Sequence, residues 1–255
     1  MQFGTCGRPE DSAWIKAAGA DFLECLVQPV LRPLEAEWKP DVPRDQLALP
    51  LPAFNAIFPP QVRLTGPDVN METIRQYSQR TMDRMKALGS TILVFGSGVA
   101  RMVPEGWPRA KADDQIVEIL KLMTPMARAA GIEIVLEPLN RGESNLLNTL
   151  PEGLEYMRRA PLPGLSMLVD FFHFGLDGEP IDDIDLVRGV LKHVHIGEPA
   201  GRVPPMPGLT DWKPYFRKLK KIGYDDRIAI EVKWTDMKAE LKPSLDYLRR
   251  EWAAA

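Results

Sequence analysis

The C-terminal half of the chain contains four short apolar segments that each end in a side chain able to bind a metal ion. They are Ile132–Glu137 (IEIVLE), Leu165–Asp170 (LSMLVD), His193–His195 (HVH) and Ile228–Glu231 (IAIE). The intervals between their last residues are 33, 25 and 36 positions. A strand, a helix and two loops need about 30 residues. Each interval therefore has the length of one βα unit.

The four last residues are chemically compatible with one shared cation. In a closed (β/α)₈ barrel the C-terminal ends of the parallel strands meet at one face, so residues remote in sequence become neighbours. Burial of an unpaired carboxylate costs several kcal/mol, and a cation relieves that cost for several carboxylates at once. Three carboxylates and one imidazole form an oxygen-rich set that suits hard divalent ions. We predict one divalent cation, with Mn²⁺ as the first expectation and Mg²⁺ or Co²⁺ as substitutes. Its predicted ligands are Glu137, Asp170, His195 and Glu231.

Further polar and aromatic residues follow the predicted strands, where βα loops face a substrate. Asn140 and Glu143 come after Glu137, and His173 follows Asp170 by three positions. Trp107 lies in the loop after the fourth predicted strand, where it either walls a pocket or packs within the loop.

Two residues beside these motifs have weaker predicted roles. Asn55, near the end of the third predicted strand, is a further candidate ligand contact. His193 is interpreted as structural, with its side chain on the face opposite to that of His195.

Strand-like and helix-like segments alternate along nearly the whole chain. The predicted strands are Gln2–Cys6, Phe22–Val27, Leu51–Ile57, Thr91–Phe95 and the four segments above; the predicted helices are Asp11–Ala20, Asn70–Leu88, Lys111–Ala130, Asn148–Arg159, Asp185–Leu191, Trp212–Ile222 and Lys238–Trp252. Residues 28–50 are rich in proline and charge and predict an irregular insertion. We therefore predict a single (β/α)₈ (TIM) barrel domain over residues 1–255, with an open doubly wound sheet as the alternative.

Composition excludes several classes of function. The chain has 255 residues, which is the usual size of one such barrel. A net charge of −3 provides no basic field for nucleic acid or an anionic membrane. Cys6 and Cys25 lack metal-site spacing and predict free thiols. No signal peptide or long apolar run is evident, so a cytoplasmic protein is expected.

These motifs resemble those of the sugar isomerase/epimerase superfamily with xylose isomerase-like barrels. The family pattern has an E-x5-E segment, a D-x-x-H segment, an H-x-H-x-G-E segment and a late strand ending in Glu. The corresponding residues here are Glu137 and Glu143, Asp170 and His173, His193 to Glu198, and Ile230-Glu231. The ketose 3-epimerases are the closest mechanistic model within this superfamily.

The resemblance implies roles for the individual residues. Glu137 and Glu231 would be metal ligands and also the acid/base pair, while Glu143 and His173 would bind the sugar. The epimerases have a substrate-contacting arginine six residues after the ligand histidine. That position is Gly201 here, and Arg202 follows one residue later. Arg202 is therefore a candidate substrate contact in a displaced position.

The implied function is a metal-dependent isomerase or epimerase that moves a proton next to a sugar carbonyl through a metal-stabilised enediolate. An unphosphorylated sugar or sugar derivative is the expected substrate. The sequence leaves the oligomeric state open, although relatives of this type often form homo-oligomers. A lyase or dehydratase acting on an inosose or a 3-keto-glycoside, including C-glycoside cleavage, is the alternative enzyme. A non-catalytic sugar-binding barrel is the alternative outside enzymes. A three-metal phosphodiesterase is disfavoured because the chain has three histidines in all.

Overall fold

Eight parallel strands close into a barrel in sequence order. The computed structural model describes residues 1–255, and β1 pairs with β8 to complete the ring. The strands are β1 (Gln2–Cys6), β2 (Leu23–Leu26), β3 (Ala53–Asn55), β4 (Ile92–Phe95), β5 (Glu133–Leu136), β6 (Leu165–Asp170), β7 (Leu191–Ile196) and β8 (Arg227–Ile230). The predicted (β/α)₈ barrel is thus confirmed, and the open sheet is excluded.

Helices follow the strands and cover the outside of the barrel. They are α1 (Ser12–Ala17), α2 (Val27–Leu31), α3 (Met71–Leu88), α4 (Gly98–Arg101), α5 (Arg109–Ala129), α6 (Leu150–Arg159), α7 (Phe171–Leu176), α8 (Lys213–Lys221) and α9 (Met237–Ala254). Three 3₁₀ turns lie at Pro9–Asp11, Arg44–Gln46 and Ile181–Val187. None of the helices combines the length and apolarity needed to cross a membrane.

Helix α3 shows how the sequence sets an element that supports the barrel. The Asn70 side chain accepts a hydrogen bond from the Thr73 N–H and so caps the first turn. Apolar residues at helical spacing, such as Ile74 and Met85, face inward and are buried. Gly89 ends the helix at φ 78°, a left-handed conformation that favours glycine. The chain then enters β4, whose four residues are all buried.

Two predicted elements differ from the structure. Asp185–Leu191 is not a helix: a 3₁₀ segment ends at Val187, and Leu191 already belongs to β7. Gly189, at φ 80°, turns the chain before the strand, while Asp185 pairs with Lys218 and Lys221 of α8. The loop predicted after β4 also contains the short helix α4.

Segment 28–50 is irregular, as predicted. It contains the end of α2 and one 3₁₀ turn. Its first part is held by Arg84 of α3, which donates hydrogen bonds to four backbone carbonyls between Leu31 and Ala36. The insertion therefore packs against the helical layer, and the strands on either side of it, β2 and β3, still pair in parallel.

Candidate active site

The four predicted metal ligands converge at the C-terminal end of the barrel. Glu137 and Glu231 directly follow β5 and β8, Asp170 ends β6, and His195 lies in β7. One ligand atom from each lies within 4.8 Å of those from the other three. Three of these residues are buried, and the Glu231 side chain is 22% exposed. The strand ends therefore bring the predicted set together.

His195 connects two of these carboxylates. Its Nδ1 lies 2.9 Å from Glu231 Oε2 and 3.2 Å from Glu137 Oε1. Burial alone would lower the pKa of His195, but the negative charges of Glu24 and Glu231 raise that pKa well above its usual value. A proton on Nδ1 and a cation would thus compete for the same position.

Arg202 reaches the same carboxylates despite its displaced position in the sequence. Its Nη2 donates to Glu231 Oε2 at 2.6 Å and to Asp170 Oδ2 at 3.3 Å. Gly201 and Arg202 both have left-handed backbone conformations, at φ 82° and 53°. This left-handed turn accommodates the one-residue displacement of Arg202 and places its guanidinium at the site. The guanidinium carbon lies 4.5 Å from the centroid of the Phe172 ring.

The remaining polar candidates form a chain of contacts beside Asp170. Asn140 Nδ2 lies 2.7 Å from His173 Nδ1 and 3.1 Å from Glu143 Oε1. Because the amide N–H donates, His173 Nδ1 accepts, and the ring proton is on Nε2, 3.3 Å from Asp170 Oδ2. Burial lowers the pKa of His173, although the charge of Asp170 opposes the shift, and a lowered pKa favours the neutral ring.

A cavity of about 250 Å³ lies beside these groups at the mouth of the barrel. Its charged and titratable lining residues are Glu137, Glu143, His173, Arg202 and Glu231. The other lining residues are neutral and mostly small: Ala56, Phe58, Pro60, Gly96 to Ala100 and Leu139. A β-carbon at Gly96 would overlap the Glu137 carboxylate, so a side chain there would displace that carboxylate from its present position.

Trp107, predicted either to wall a pocket or to pack within its loop, is not among the residues that line this cavity. Its ring packs against the hydrophobic core and lies beneath the Lys111 ammonium, 5.6 Å from the ring centroid. The loop that carries Trp107 leads directly into α5 and directs the ring toward the helical layer. In the structure Trp107 therefore has a packing role, beside the core and Lys111.

Sequence reasoning missed Glu24 of β2. This residue is fully buried, and its carboxylate contacts His193 Nε2 at 2.7 Å and His195 Nε2 at 3.0 Å. Burial would raise its pKa, but the two histidines lower that pKa to about 2. The available signal was a single charge within the otherwise apolar segment Phe22–Val27.

The expected orientation of His193 was also wrong. Residues two apart in a strand share a face, and both His193 and His195 point into the barrel, with ring centroids 5.0 Å apart. Asn55 lies nearby on β3 and donates from Nδ2 to Glu231 Oε1 at 3.0 Å. Its Oδ1 is buried without a hydrogen-bond partner.

The donor set meets the requirements of a divalent cation. Carboxylate oxygens and one imidazole nitrogen, close together and held by buried neighbours, match hard or borderline ions rather than a thiolate-bound zinc. The unpartnered Asn55 Oδ1 adds a neutral oxygen beside this set. Fold and site together define a (β/α)₈ barrel with a cation-type ligand set at its C-terminal mouth.

The family follows from comparison with known proteins. Residues 12–251 match the pattern of the xylose isomerase-like TIM barrel family, and the chain belongs to it. The chain is 25% identical over 180 residues to 3-dehydro-D-guloside 4-epimerase of Escherichia coli, covering 67% of this chain and 68% of that protein. It is 29% identical over 119 residues to D-psicose 3-epimerase of Ruminiclostridium cellulolyticum, covering 46% of this chain and 40% of that protein.

The alignments with the curated ketose epimerases span less than half of those proteins, between 40% and 46% of the length of three of them. A solved structure of L-ribulose 3-epimerase superposes with a TM-score of 0.83 at 20% identity, covering 99% of this chain and 95% of that one. At this identity the superposition establishes a shared fold.

Proposed function

We propose that this protein is a divalent-metal-dependent sugar epimerase or isomerase that moves a proton at a carbon next to a carbonyl. The observation that carries the proposal is the convergence of Glu137, Asp170, His195 and Glu231 within 4.8 Å beside the cavity, which Glu137 and Glu231 line. The relatives named above are sugar epimerases, which supports the same class of reaction.

These four side chains would hold the cation, with Mn²⁺ as the expected ion. When bound, it would supply Lewis-acid stabilisation of the negative charge that develops on a sugar oxygen. Arg202 already contacts both Asp170 and Glu231, so its guanidinium is placed to neutralise part of that charge as well.

Substrate binding would use the polar chain beside Asp170. A neutral His173 with its proton on Nε2 donates to a sugar oxygen, and Asn140 fixes that orientation through Nδ1. Glu143, 47% exposed at the rim, accepts from a sugar hydroxyl. The small neutral residues of the lining leave room for the sugar ring.

Proton transfer would be shared between the two glutamates. One carboxylate removes the proton from the carbon next to the carbonyl, and the electron pair moves onto the carbonyl oxygen. The other carboxyl returns a proton to the opposite face of that carbon. The stereocentre is inverted, no electrons are gained or lost, and the two glutamates exchange protonation states during each turnover.

The charge of the cavity favours an unphosphorylated sugar. Arg202 is the only arginine or lysine that lines it, and this arginine already contacts Asp170 and Glu231. A phosphate dianion would need at least one additional cation or a set of free backbone N–H groups. Keto-sugars and keto-glycosides without phosphate are therefore the substrate class to screen first.

Exchange with solvent deuterium tests the proposal. Protein reconstituted with Mn²⁺ is incubated in D₂O with ketoses, aldoses and 3-keto-glycosides, and products are followed by mass spectrometry and NMR. We expect one deuterium at the inverted carbon of a converted sugar. Label at the adjacent carbon indicates aldose–ketose isomerisation, and loss of a substituent indicates a lyase.

Complete absence of exchange across this panel, with the cation bound, would overturn the proposed chemistry. Retained sugar binding under those conditions would identify a sugar-binding barrel. Elemental analysis and calorimetric titration with Mn²⁺ test the cation site separately. A protein that takes up no divalent ion after reconstitution contradicts that part of the proposal.

A further inference from the structure

Glu24 lies inside the barrel beneath the ligand set and has both carboxylate oxygens occupied. Oε2 contacts His193 Nε2 at 2.7 Å, and Oε1 contacts His195 Nε2 at 3.0 Å. All three side chains are fully buried. Strand β2 is not a neighbour of β7 in the sheet, so these contacts cross the barrel interior.

The two nitrogens of His195 therefore face different partners. Nε2 points to Glu24, while Nδ1 points to Glu137 and Glu231. A cation among Glu137, Asp170 and Glu231 would replace the proton on Nδ1, while the hydrogen bond to Glu24 keeps the proton on Nε2, which leaves Nδ1 as the ligand atom. The position of Glu24 thus determines which nitrogen is available on the side of the carboxylate set.

His193 occupies the second oxygen of the same carboxylate. Its Nε2 is bonded to Glu24, and its Nδ1 is buried without a partner. With one ring on each oxygen, the carboxylate cannot rotate without breaking a buried hydrogen bond. His193 is thereby placed to hold Glu24 Oε1 against His195.

We propose that Glu24 is a positioning residue that presents His195 Nδ1 to the carboxylate set, and that His193 holds Glu24 in that orientation. This inference rests on the proposed cation site. Neither Glu24 nor His193 takes part in the proposed proton transfer. The role that we propose for both is to orient His195.

Nitrogen-15 NMR of histidine-labelled protein reads this arrangement directly. The chain has three histidines, so the spectrum contains three imidazole rings, which His173→Asn and His193→Phe assign. Zn²⁺ is used in place of Mn²⁺ because it is diamagnetic. We expect His195 of the Zn²⁺-loaded protein to keep its proton on Nε2 and to bind through Nδ1.

Glu24→Gln retains the shape of the side chain but has only one acceptor oxygen, so it cannot accept from both rings. We expect the affinity for Mn²⁺ and for Zn²⁺ to fall about 10–100-fold by calorimetry. Glu24→Leu removes both acceptors, and we expect a loss at least as large. His193→Phe leaves the His195 contact in place and is expected to have a smaller effect in the same direction.

Glu133→Gln is the matched control. Glu133 lies at the start of β5 and bonds Ser166 at the other end of the barrel, away from the histidines. We expect this variant to bind metal like the wild type. The positioning role is overturned by a His195 that binds through Nε2, or by unchanged affinity in both Glu24 variants.

Failure of the proposed function gives a different result. If the wild type binds no divalent cation, the metal site is wrong. Spectra of the metal-free protein still decide on Glu24, because hydrogen-bonded Nε2 protons are expected on His193 and His195 in the wild type. At least one of those protons should be lost in Glu24→Gln, and their persistence in that variant contradicts the inference.

Discussion

The two halves of the barrel contribute different chemistry to the same mouth. Strands β5 to β8 supply the four side chains of the proposed ligand set within one residue of their ends. Strands β1 to β4 supply supporting groups, namely Glu24 beneath His195 and Asn55 beside Glu231. Side chains that would meet a cation thus come from one half, while the side chains that hold them come from both, because Arg202 and His173 of the second half also contact the set.

Arg101 links the two halves. It follows β4, is fully buried, and donates to the carbonyls of Phe95, Glu137 and Leu147. Burial lowers its pKa to about 10, so it stays charged at neutral pH. One side chain from the first half thereby fixes the backbone of Glu137 and of the loop that carries Asn140.

Glu231→Gln should have the largest effect, because it changes a residue with two proposed roles in the second half. The amide keeps the volume and one oxygen but cannot accept a proton. We expect turnover to fall by about 10²–10⁴-fold, Mn²⁺ affinity to weaken, and the melting temperature of the metal-free protein to stay close to that of the wild type. Glu118→Gln, on the exposed face of α5, is the control. Normal turnover per folded molecule in Glu231→Gln would remove the proposed catalytic role.

Arg101→Met tests the link between the halves. Three buried carbonyls would lose a donor, and each unsatisfied buried group costs about 1–3 kcal/mol. Because a buried charge is removed at the same time, we expect a net loss of about 2–4 kcal/mol in the free energy of unfolding, measured by urea denaturation. The control is Arg63→Met, since Arg63 also donates to two carbonyls but is partly exposed. Equal losses of unfolding free energy in the two variants would contradict the view that burial makes the Arg101 contacts more stabilising than those of Arg63.

Asn55→Ala tests the supporting role of the first half. It removes the amide donor to Glu231, a hydrogen bond to a charged group worth about 1.5–3 kcal/mol. We expect turnover to fall about 10–100-fold, less than in Glu231→Gln, with the cation still bound. Asn145→Ala, in an exposed loop, is the matched control. A loss as large as that of Glu231→Gln would erase the proposed distinction between the halves.

Glu179 is a carboxylate of the second half that lies outside the proposed ligand set, and its raised pKa predicts a pH-dependent stability. It accepts from the Leu150 N–H, and burial raises its pKa to about 7. The folded state therefore binds its proton more tightly than the unfolded state does. Between pH 4.5 and 7, this group should lower the free energy of unfolding as the pH rises. Below pH 4.5 it should have no effect, and above pH 7 the reduction should stay constant.

Glu179→Gln should accordingly unfold at higher urea than the wild type at pH 7.5 and at a similar concentration at pH 4.5. The difference at pH 7.5 should be about 1–2 kcal/mol, since the group is partly exposed and solvent reduces the full shift. Glu72→Gln, on the surface of α3, should show no such pH dependence. A constant difference between the Glu179 variant and the wild type across this range would refute the assignment.

The same division explains what the sequence alone predicts. The ends of β5 to β8 were predicted to within one residue, because a mostly apolar run ends at a carboxylate in β5, β6 and β8, and the HVH motif marks β7. In β1 to β4 the strand ends carry weaker signals, and β3 is only three residues long. The fold, and the convergence of the four predicted side chains at one end of it, could therefore be derived from local patterns.

The supporting contacts could not be derived in this way. Glu24 is a single charge whose partners lie 169 and 171 positions away. Arg101 has the sequence context of a solvated loop arginine, and only the closed barrel shows that it is buried. The displaced Arg202 depends on a left-handed turn that residue spacing does not specify.

The contacts across the barrel interior also bear on the order of folding. Contacts between residues far apart in sequence require a large loss of chain entropy and tend to form late. Glu24 meets His195 only when β2 and β7 face each other inside a closed ring. We therefore expect strand and helix content to recover first during refolding, and the capacity to bind a cation to appear only with ring closure. The rate of cation uptake during refolding would then report the rate of the final folding step, the closure of the ring.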